Sequence, residues 1–438
     1  MEWQLAFLLL FGSLIIFLLI GLPVAFSFLL VDCIGVYLLF GGLQGLQHLV
    51  NSLYSVLNSF ILLPIPLFLL MGDVLFRSGV GPNIIDALDK WIGRIPGRYS
   101  ILSVFSGTVL AALTGTSLAS VAMLGSVLVP EMRRRGYKAA MIIGPILGSG
   151  GLAILIPPSA LAVIAAAVAE TSVSRTLLGI IVPGLILAGV YLIYIVGRCL
   201  LNPELAPVAK QPQIPLRHKV SALAKYVLPQ GFVVFSVIGL MVLGIATPSE
   251  AAATGCLATI ILALAYRRYN KEVIKKSSAD ALSVTGMVLL ILTGAMGFSQ
   301  LLAMSGVAAG ISQTVQQLDV SPKLVIVLMQ VIVLILGCLM DVVSIMMITL
   351  PIFMPIVKSL GFDPVWFIVL FLLNIEIAGI SPPFGMSLFV MKGVIGDEVS
   401  MEEIYKAALP FCLMGIFVMA LLLFIPDLAL WLPSLSGK

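Results

Sequence analysis

The sequence predicts an all-α polytopic membrane protein built from two inverted-topology repeats, and three observations carry that prediction. Of 438 residues, 61% are hydrophobic and only 10% are charged, and the mean hydropathy is +1.18, far from the quarter-charged composition of soluble domains. Two proline pairs interrupt apolar segments of membrane length: Pro157-Pro158 in GSGGLAILIPPSA (148–160) and Pro382-Pro383 in NIEIAGISPPFG (374–385). Proline lacks a backbone N–H and disfavours helix in the residue before it, so each pair breaks a helix near mid-span. Finally, Pro and Gly recur in one register, at a constant offset of 225 in the numbering: Pro23 with Pro248, Pro130 with Pro355, Gly136 with Gly361, and the two proline pairs with each other. Ser78-Gly79 and Pro183 find Ser305-Gly306 and Pro410 at an offset of 227.

Taken in order, residues 1–20 are apolar, with no basic leader and no small-residue cleavage site, and read as a first span. Apolar cores suited to ~30 Å of hydrocarbon follow at 23–40, 53–76, 139–169, 177–196, 227–245, 251–265, 281–304, 366–391 and 407–430. Two stretches differ, 100–130 and 324–357, because each is longer than one crossing and has a polar interruption at its middle. These interruptions are Thr114-Gly115-Thr116-Ser117 and Asp341-Val342-Val343-Ser344. About 15 residues on each side give arms of ~23 Å, the dimensions of a re-entrant hairpin. The hairpins are expected at about 99–131 and 323–358, and the broken helices at about 138–169 and 364–395.

Charge sets the topology, since basic residues concentrate in cytoplasmic loops. Arg77, Lys90, Arg94 and Arg98 precede the first hairpin and Arg133, Arg134, Arg135 and Lys138 follow it, whereas only Lys323 and Lys358 flank the second. The first hairpin therefore enters from the cytoplasm and the second from outside. All of the 24 basic residues but Arg175, Lys323, Lys358 and Lys438 then fall inside, and both termini fall outside. Each repeat holds about five crossings, one of them a broken helix, and one hairpin. Five is odd, so the second repeat is inverted. The repeats are expected at 1–202 and 226–438, joined by a cytoplasmic connector at 203–225.

The net charge of +4 reflects membrane flanks and implies no nucleic acid. The five cysteines stand singly and the two histidines lie far apart, so neither a disulfide framework nor a metal-ligand cluster is expected. No H-E-x-x-H, paired-aspartate protease motif or Ser/His dyad suggests an enzyme.

Broken helices inside a membrane present unpaired carbonyls to cations and unpaired N–H groups to anions, and matched breaks in two halves point to a transport site. Around the first break, Gly148, Ser149, Gly150 and Gly151 offer carbonyls, and Ser159 opens a half-helix that can face a carboxylate. Around the second, Asn374, Gly379 and Ser381 precede the prolines and Gly385 follows. The competing role for such small residues is close helix packing. Asp341, at a hairpin tip, reads as a cation ligand or gate, or as the cap of the following helix. Glu376 either caps or faces a polar cavity, while Asp32 and Asp73, without counterparts, read as helix-end markers. Tyr191, Tyr194, Trp3 and Trp431 read as interface anchors or packing, and Arg133-Arg134-Arg135 as a topology determinant against anionic headgroups. Each break is expected to face its own hairpin tip. Thr116 is matched by Asp341 in the same register, so the two cation sites are expected to differ.

The runs TGTSLASVAMLGSVLVPEMRRRGY (114–137), IPPSA (156–160), ATPSEAAA (246–253), GCLMDVVSIMMITLPIFMPIVKSLGFDPVWF (337–367) and ISPPFG (380–385) closely resemble the large, DctM-like membrane subunit of TRAP transporters, the tripartite ATP-independent periplasmic transporters. The likeness covers nearly the whole chain. It implies an elevator-type, sodium-coupled importer of an organic anion such as a C4-dicarboxylate or a sialic or sugar acid. The hairpins and broken helices would form the moving domain. Sodium sites would fall on Thr114, Gly115, Thr116, Ser117, Gly148, Gly151, Asp341, Ser344, Gly379 and Gly385. Substrate contacts would fall on Pro157, Pro158, Ser159, Asn374, Ser381, Pro382 and Pro383. No cofactor beyond the coupling ion is implied. The resemblance also implies a bacterial inner-membrane location, an extracytoplasmic binding protein and a small four-helix membrane subunit, expected as a separate chain because this one opens on the large subunit's first span. A one-component divalent-anion/sodium symporter is the alternative, and TGTS with TPSEAA favours the tripartite family over it.

Overall fold

The structure is a computed structural model that describes residues 2–435 apart from Arg94, Gly115, 208–214, 318–319 and Leu339, and describes 111–114 by their backbone alone. Among the described residues the chain is helical throughout. The first half comprises α1 (Trp3–Leu19), α2 (Val24–Leu39), α3 (Leu43–Leu57), α4 (Pro64–Arg77), α5 (Gly81–Asp89), α6 (Arg98–Thr114), α7 (Ser117–Arg134), α8 (Ala139–Gly151), α9 (Ala160–Val168), α10 (Val173–Gly179) and α11 (Ile181–Leu201). The second comprises α12 (Leu216–Ala222), α13 (Leu228–Val242), α14 (Pro248–Ala265), α15 (Lys271–Met304), α16 (Val307–Gln317), α17 (Pro322–Gly337), α18 (Val342–Ser359), α19 (Pro364–Gly379), α20 (Met386–Ile395), α21 (Met401–Phe424) and α22 (Asp427–Leu435). Among the described residues, seven helical stretches are long and apolar enough to cross a bilayer.

The halves correspond over most of their helices. α7 and α18 begin and end in the register that pairs the two proline pairs, and α8 and α19 begin in it too. The turns agree as well, because Gly136 and Gly361 both have φ 78° and Gly79 and Gly306 have φ 65° and 75°. Only glycine occupies that left-handed region without a steric cost, which is why these pairs are visible in the sequence.

Two expected spans are drawn differently. The apolar run 53–76 is not one crossing: α3 ends at Leu57, Ser59 Oγ accepts from Ile61 N at 3.4 Å, and Pro64 opens α4. Proline is tolerated in a first helical turn, where its missing N–H has no partner to lose. The matching stretch of the second half is the unbroken 34-residue α15. Asn270 caps it, its Oδ1 accepting from Val273 N at 2.8 Å. The helix starts well before the expected span, with charged first turns that hold Lys271, Glu272, Lys275 and Lys276.

The hairpins do not stay within their own halves. α6 and α7 pack on α8, and α17 packs on α19, but α7 also lies along α20 and α18 along α9. The crossing is close: a Cβ added to Gly125 of α7 would lie 2.7 Å from Val394 Cγ1 of α20. Tyr191 is fully buried on Phe411, with ring centroids 4.9 Å apart, so it packs the interior and anchors no interface.

Asp32 does not mark a helix end. It lies mid-way along α2, fully buried, with Oδ2 2.4 Å from where a Gly297 Cβ would stand on α15. Neither carboxylate oxygen has a hydrogen-bond partner among the described residues. Asp73, one turn from the end of α4, pairs with Arg77 at 2.6 Å, and Arg77 also bonds Asp280 of α15. A buried carboxylate without a partner is costly, so Asp32→Asn, which keeps the shape and removes the charge, is expected to raise the unfolding midpoint of the purified protein by the equivalent of about 1 kcal/mol or more. A loss of stability in that variant would show that the carboxylate is needed where it stands.

Candidate functional site

The site is assembled from two hairpin tips and two helix breaks. At the second tip, Asp341 is the N-cap of α18: its Oδ1 accepts from Val343 N and Ser344 N, both at 3.0 Å, and the Ser344 hydroxyl donates to Oδ2. The side chain is nonetheless exposed, so capping and access to a ligand coexist in one carboxylate. At the first tip, Thr116 holds the equivalent N-cap position of α7 in extended backbone, φ −137° and ψ 134°. Gly115 lies outside the described residues, and Thr114 is described by its backbone alone.

Each break satisfies much of its own backbone. At the first, Ile154 N bonds Gly151 O at 3.2 Å, Ile156 N bonds Leu152 O at 2.9 Å, and Ser159 Oγ accepts from Ala162 N at 3.3 Å to start α9. At the second, Ser381 N bonds Ala378 O at 3.1 Å and Gly385 N bonds Ser381 O at 3.0 Å, while Tyr405 Oη donates to Pro383 O at 2.9 Å from α21. Both proline–proline bonds are cis.

Between tips and breaks lies a cavity of about 340 Å³ whose polar lining is Thr116, Ser117, Asp341, Glu376, Gly379 and Ser387. Ile154, Leu161 and Val288 are among the apolar side chains that close it. Glu376 is 3% exposed. Its Oε2 accepts from Ser117 Oγ at 3.0 Å, and its Oε1 stands 1.3 Å from where a Gly151 Cβ would be. Gly151 and Glu376 pair in the same register as the proline pairs, so they are equivalent positions of the two halves. Equivalent residues that touch lie on the axis relating the halves, and here that axis carries one carboxylate.

The cavity brings together four of the sequence-derived site residues, Thr116, Ser117, Asp341 and Gly379, with Ser344 and Gly151 directly behind the two carboxylates. Others lie elsewhere. Gly148 faces α21, its absent Cβ 2.4 Å from Phe411, and serves close packing. Gly385 allows the second break to close on itself, its absent Cβ 2.7 Å from Gly379 O. Asn374 is fully buried and does not line the cavity; its Nδ2 donates to Gln330 O at 2.6 Å and Gln330 Oε1 at 2.9 Å, tying α19 to α17. Pro157, Pro158 and Ser159 are buried within the first break, whereas Ser381 and Pro382 are half-buried and Pro383 is exposed at the second. Nor does each break face its own tip alone, since Glu376 of the second break reaches Ser117 of the first tip. The sequence leaves Glu376 open; the signal for it is an acid in an apolar run at the position equivalent to a break glycine. Ser387 carries no such signal.

Thr116, Ser117 and Ser387 bring hydroxyls to this cavity and Asp341 and Glu376 bring carboxylates, and among the described residues no cysteine or histidine lines it. Such a donor set suits a hard cation. Paired hairpins and interrupted helices around one largely apolar cavity that carries a few polar side chains define a helical membrane transporter. From residue 11 to residue 428 the chain matches the family described as tripartite ATP-independent periplasmic transporter, DctM component, and it belongs to that family. It is 32% identical over 397 residues to the C4-dicarboxylate TRAP transporter large permease protein DctM of Pseudomonas aeruginosa, covering 90% of this chain and 91% of that protein. It is 29% identical to the 2,3-diketo-L-gulonate TRAP transporter large permease protein YiaN of Escherichia coli, covering 97% and 98%. Among solved structures, the Alcanivorax borkumensis YdaH transporter shares the fold, with a TM-score of 0.65 at 16% identity over 88% of this chain and 90% of that one.

Gly151 thus serves as the seat of Glu376. Gly151→Ala is expected to destabilise the protein by about 1–3 kcal/mol, the range for an added methyl group in a filled site, and Glu376→Ala is expected to remove most of that penalty. Additive effects in the double variant, read by denaturant or thermal unfolding, would contradict the contact.

Proposed function

We propose that this chain is the large permease subunit of a sodium-coupled tripartite transporter that imports an organic anion, a C4-dicarboxylate or a sugar acid, handed over by an extracytoplasmic binding protein. A small four-helix membrane subunit completes the assembly in the bacterial inner membrane, with both termini of this chain periplasmic. The observation that carries the reading is the single cavity where both tips meet both breaks, holding two carboxylates and, among the described residues, no basic side chain in its lining. An anion entering such a cavity meets negative charge unless cations arrive with it. Sodium held by the tip and break oxygens neutralises Asp341 and Glu376, and the N-termini of α7 and α9 then offer N–H groups to the substrate carboxylate. Coupling follows from this electrostatic order, because substrate without sodium is repelled. The names of the relatives support an organic acid as cargo.

The hairpins and broken helices move together past the remaining helices in an elevator step, and the halves at 1–202 and 226–438 meet through the connector at 203–225. In proteoliposomes carrying all three components, uptake is expected only with an inward sodium gradient and the binding protein. Uptake without the binding protein would favour a one-component symporter. Asp341→Asn keeps a good helix cap while removing the charge, and is expected to raise half-saturating sodium at least about tenfold, the change that about 1.4 kcal/mol of lost binding produces. An unchanged sodium dependence would remove Asp341 from the site.

A further inference from the structure

We infer that Glu376 supplies the charge of the first cation site, reaching it from the opposite repeat. The inference rests on the sodium-coupled reading above and concerns which residues hold the ions. At two equivalent pairs, Thr116 with Asp341 and Gly151 with Glu376, the first half carries a neutral residue and the second half a carboxylate. A cation site made by the first half alone, from Thr116, Ser117 and the carbonyls of 148–151, has no charged ligand. The second tip has its own in Asp341.

Geometry assigns the other carboxylate. Glu376 Oε2 accepts from Ser117 Oγ at 3.0 Å, and Oε1 lies against Gly151, so this one side chain touches both the tip and the break of the first half. The two carboxylates also differ in how fully they are already engaged. Asp341 accepts two backbone N–H groups and a hydroxyl. Glu376, almost wholly buried, accepts from Ser117 alone and belongs to no ion pair among the described residues. Among the described residues no Lys, Arg or His lines the cavity beside it. A buried carboxylate with one hydroxyl partner is under-compensated, and it lines a cavity large enough to admit an ion. A monovalent cation between Glu376, Ser117 and nearby carbonyls removes that deficit. Each cation then has one carboxylate, both drawn from the second half. The first ion also ties the first hairpin to α19.

The test is equilibrium binding of radioactive sodium to the purified complex, with sodium-dependent thermal stabilisation as a second readout. Glu376→Gln, of the same shape, is expected to bind one sodium fewer per large subunit than the wild type and to retain the ion at Asp341. Ser117→Ala, on the other side of the contact, is expected to weaken the same ion about tenfold or more and, because it removes the one hydroxyl that Glu376 accepts from, to lower sodium-free stability. Equal sodium counts and affinities in the wild type and Glu376→Gln would overturn the inference while leaving sodium coupling intact. A wild type that binds no sodium would overturn the sodium-coupled reading itself.

Discussion

Everything in this structure depends on one constraint: a chain that interrupts its helices inside hydrocarbon must cover the freed backbone groups with protein. Two breaks and two hairpin tips each expose N–H and C=O groups that a lipid cannot satisfy. Part of the solution is local, in the tight turns of residues 150–156 and 377–385 and the caps by Ser159 and Asp341. The rest is an exchange between halves. The second arm of each hairpin lies along the second segment of the other half's broken helix, α7 on α20 and α18 on α9. Each half's broken helix is partly covered by the other half's hairpin, so the two repeats form one unit around the cavity.

Exchange also explains why a symmetric fold can hold an asymmetric site. Where the halves meet on their axis, the two equivalent positions cannot both carry a large side chain. Glu376 takes the space and Gly151 yields it. At the tips, both positions are N-caps, but one is Thr116 and the other Asp341. The fold keeps its two-fold plan while the charge is concentrated in one half. The cavity therefore holds two distinct carboxylate environments, Asp341 at its own tip and Glu376 against Ser117 of the other.

What the sequence reveals and what it conceals divide along the range of the interactions involved. The breaks, the tips and the paired turns are legible because proline, glycine and capping residues act on their own backbone, as Gly136 and Gly361 show. The interruption between α3 and α4 is hidden because Asn58-Ser59 is a short polar pair in a long apolar run and Pro64 fits a helix start as readily as a helix break. Roles set by a distant partner cannot be read locally. Gly148 against Phe411, Asn374 against Gln330 and Asp32 against Gly297 each depend on a residue far away in the chain. Glu376 is visible as an oddity, and its partner is already marked by the repeat register.

The exchange of hairpin arms is the claim on which the site, its charge and the unity of the two halves all rest. It is tested most directly by disulfide formation between Gly125→Cys on α7 and Val394→Cys on α20, in a chain whose five native cysteines have been replaced, in native membranes under mild oxidation. Rapid, near-complete cross-linking of the pair, with little when either cysteine is present alone, is the predicted result. Failure of the pair to cross-link in folded protein would contradict the packing of one half's hairpin on the other half's broken helix.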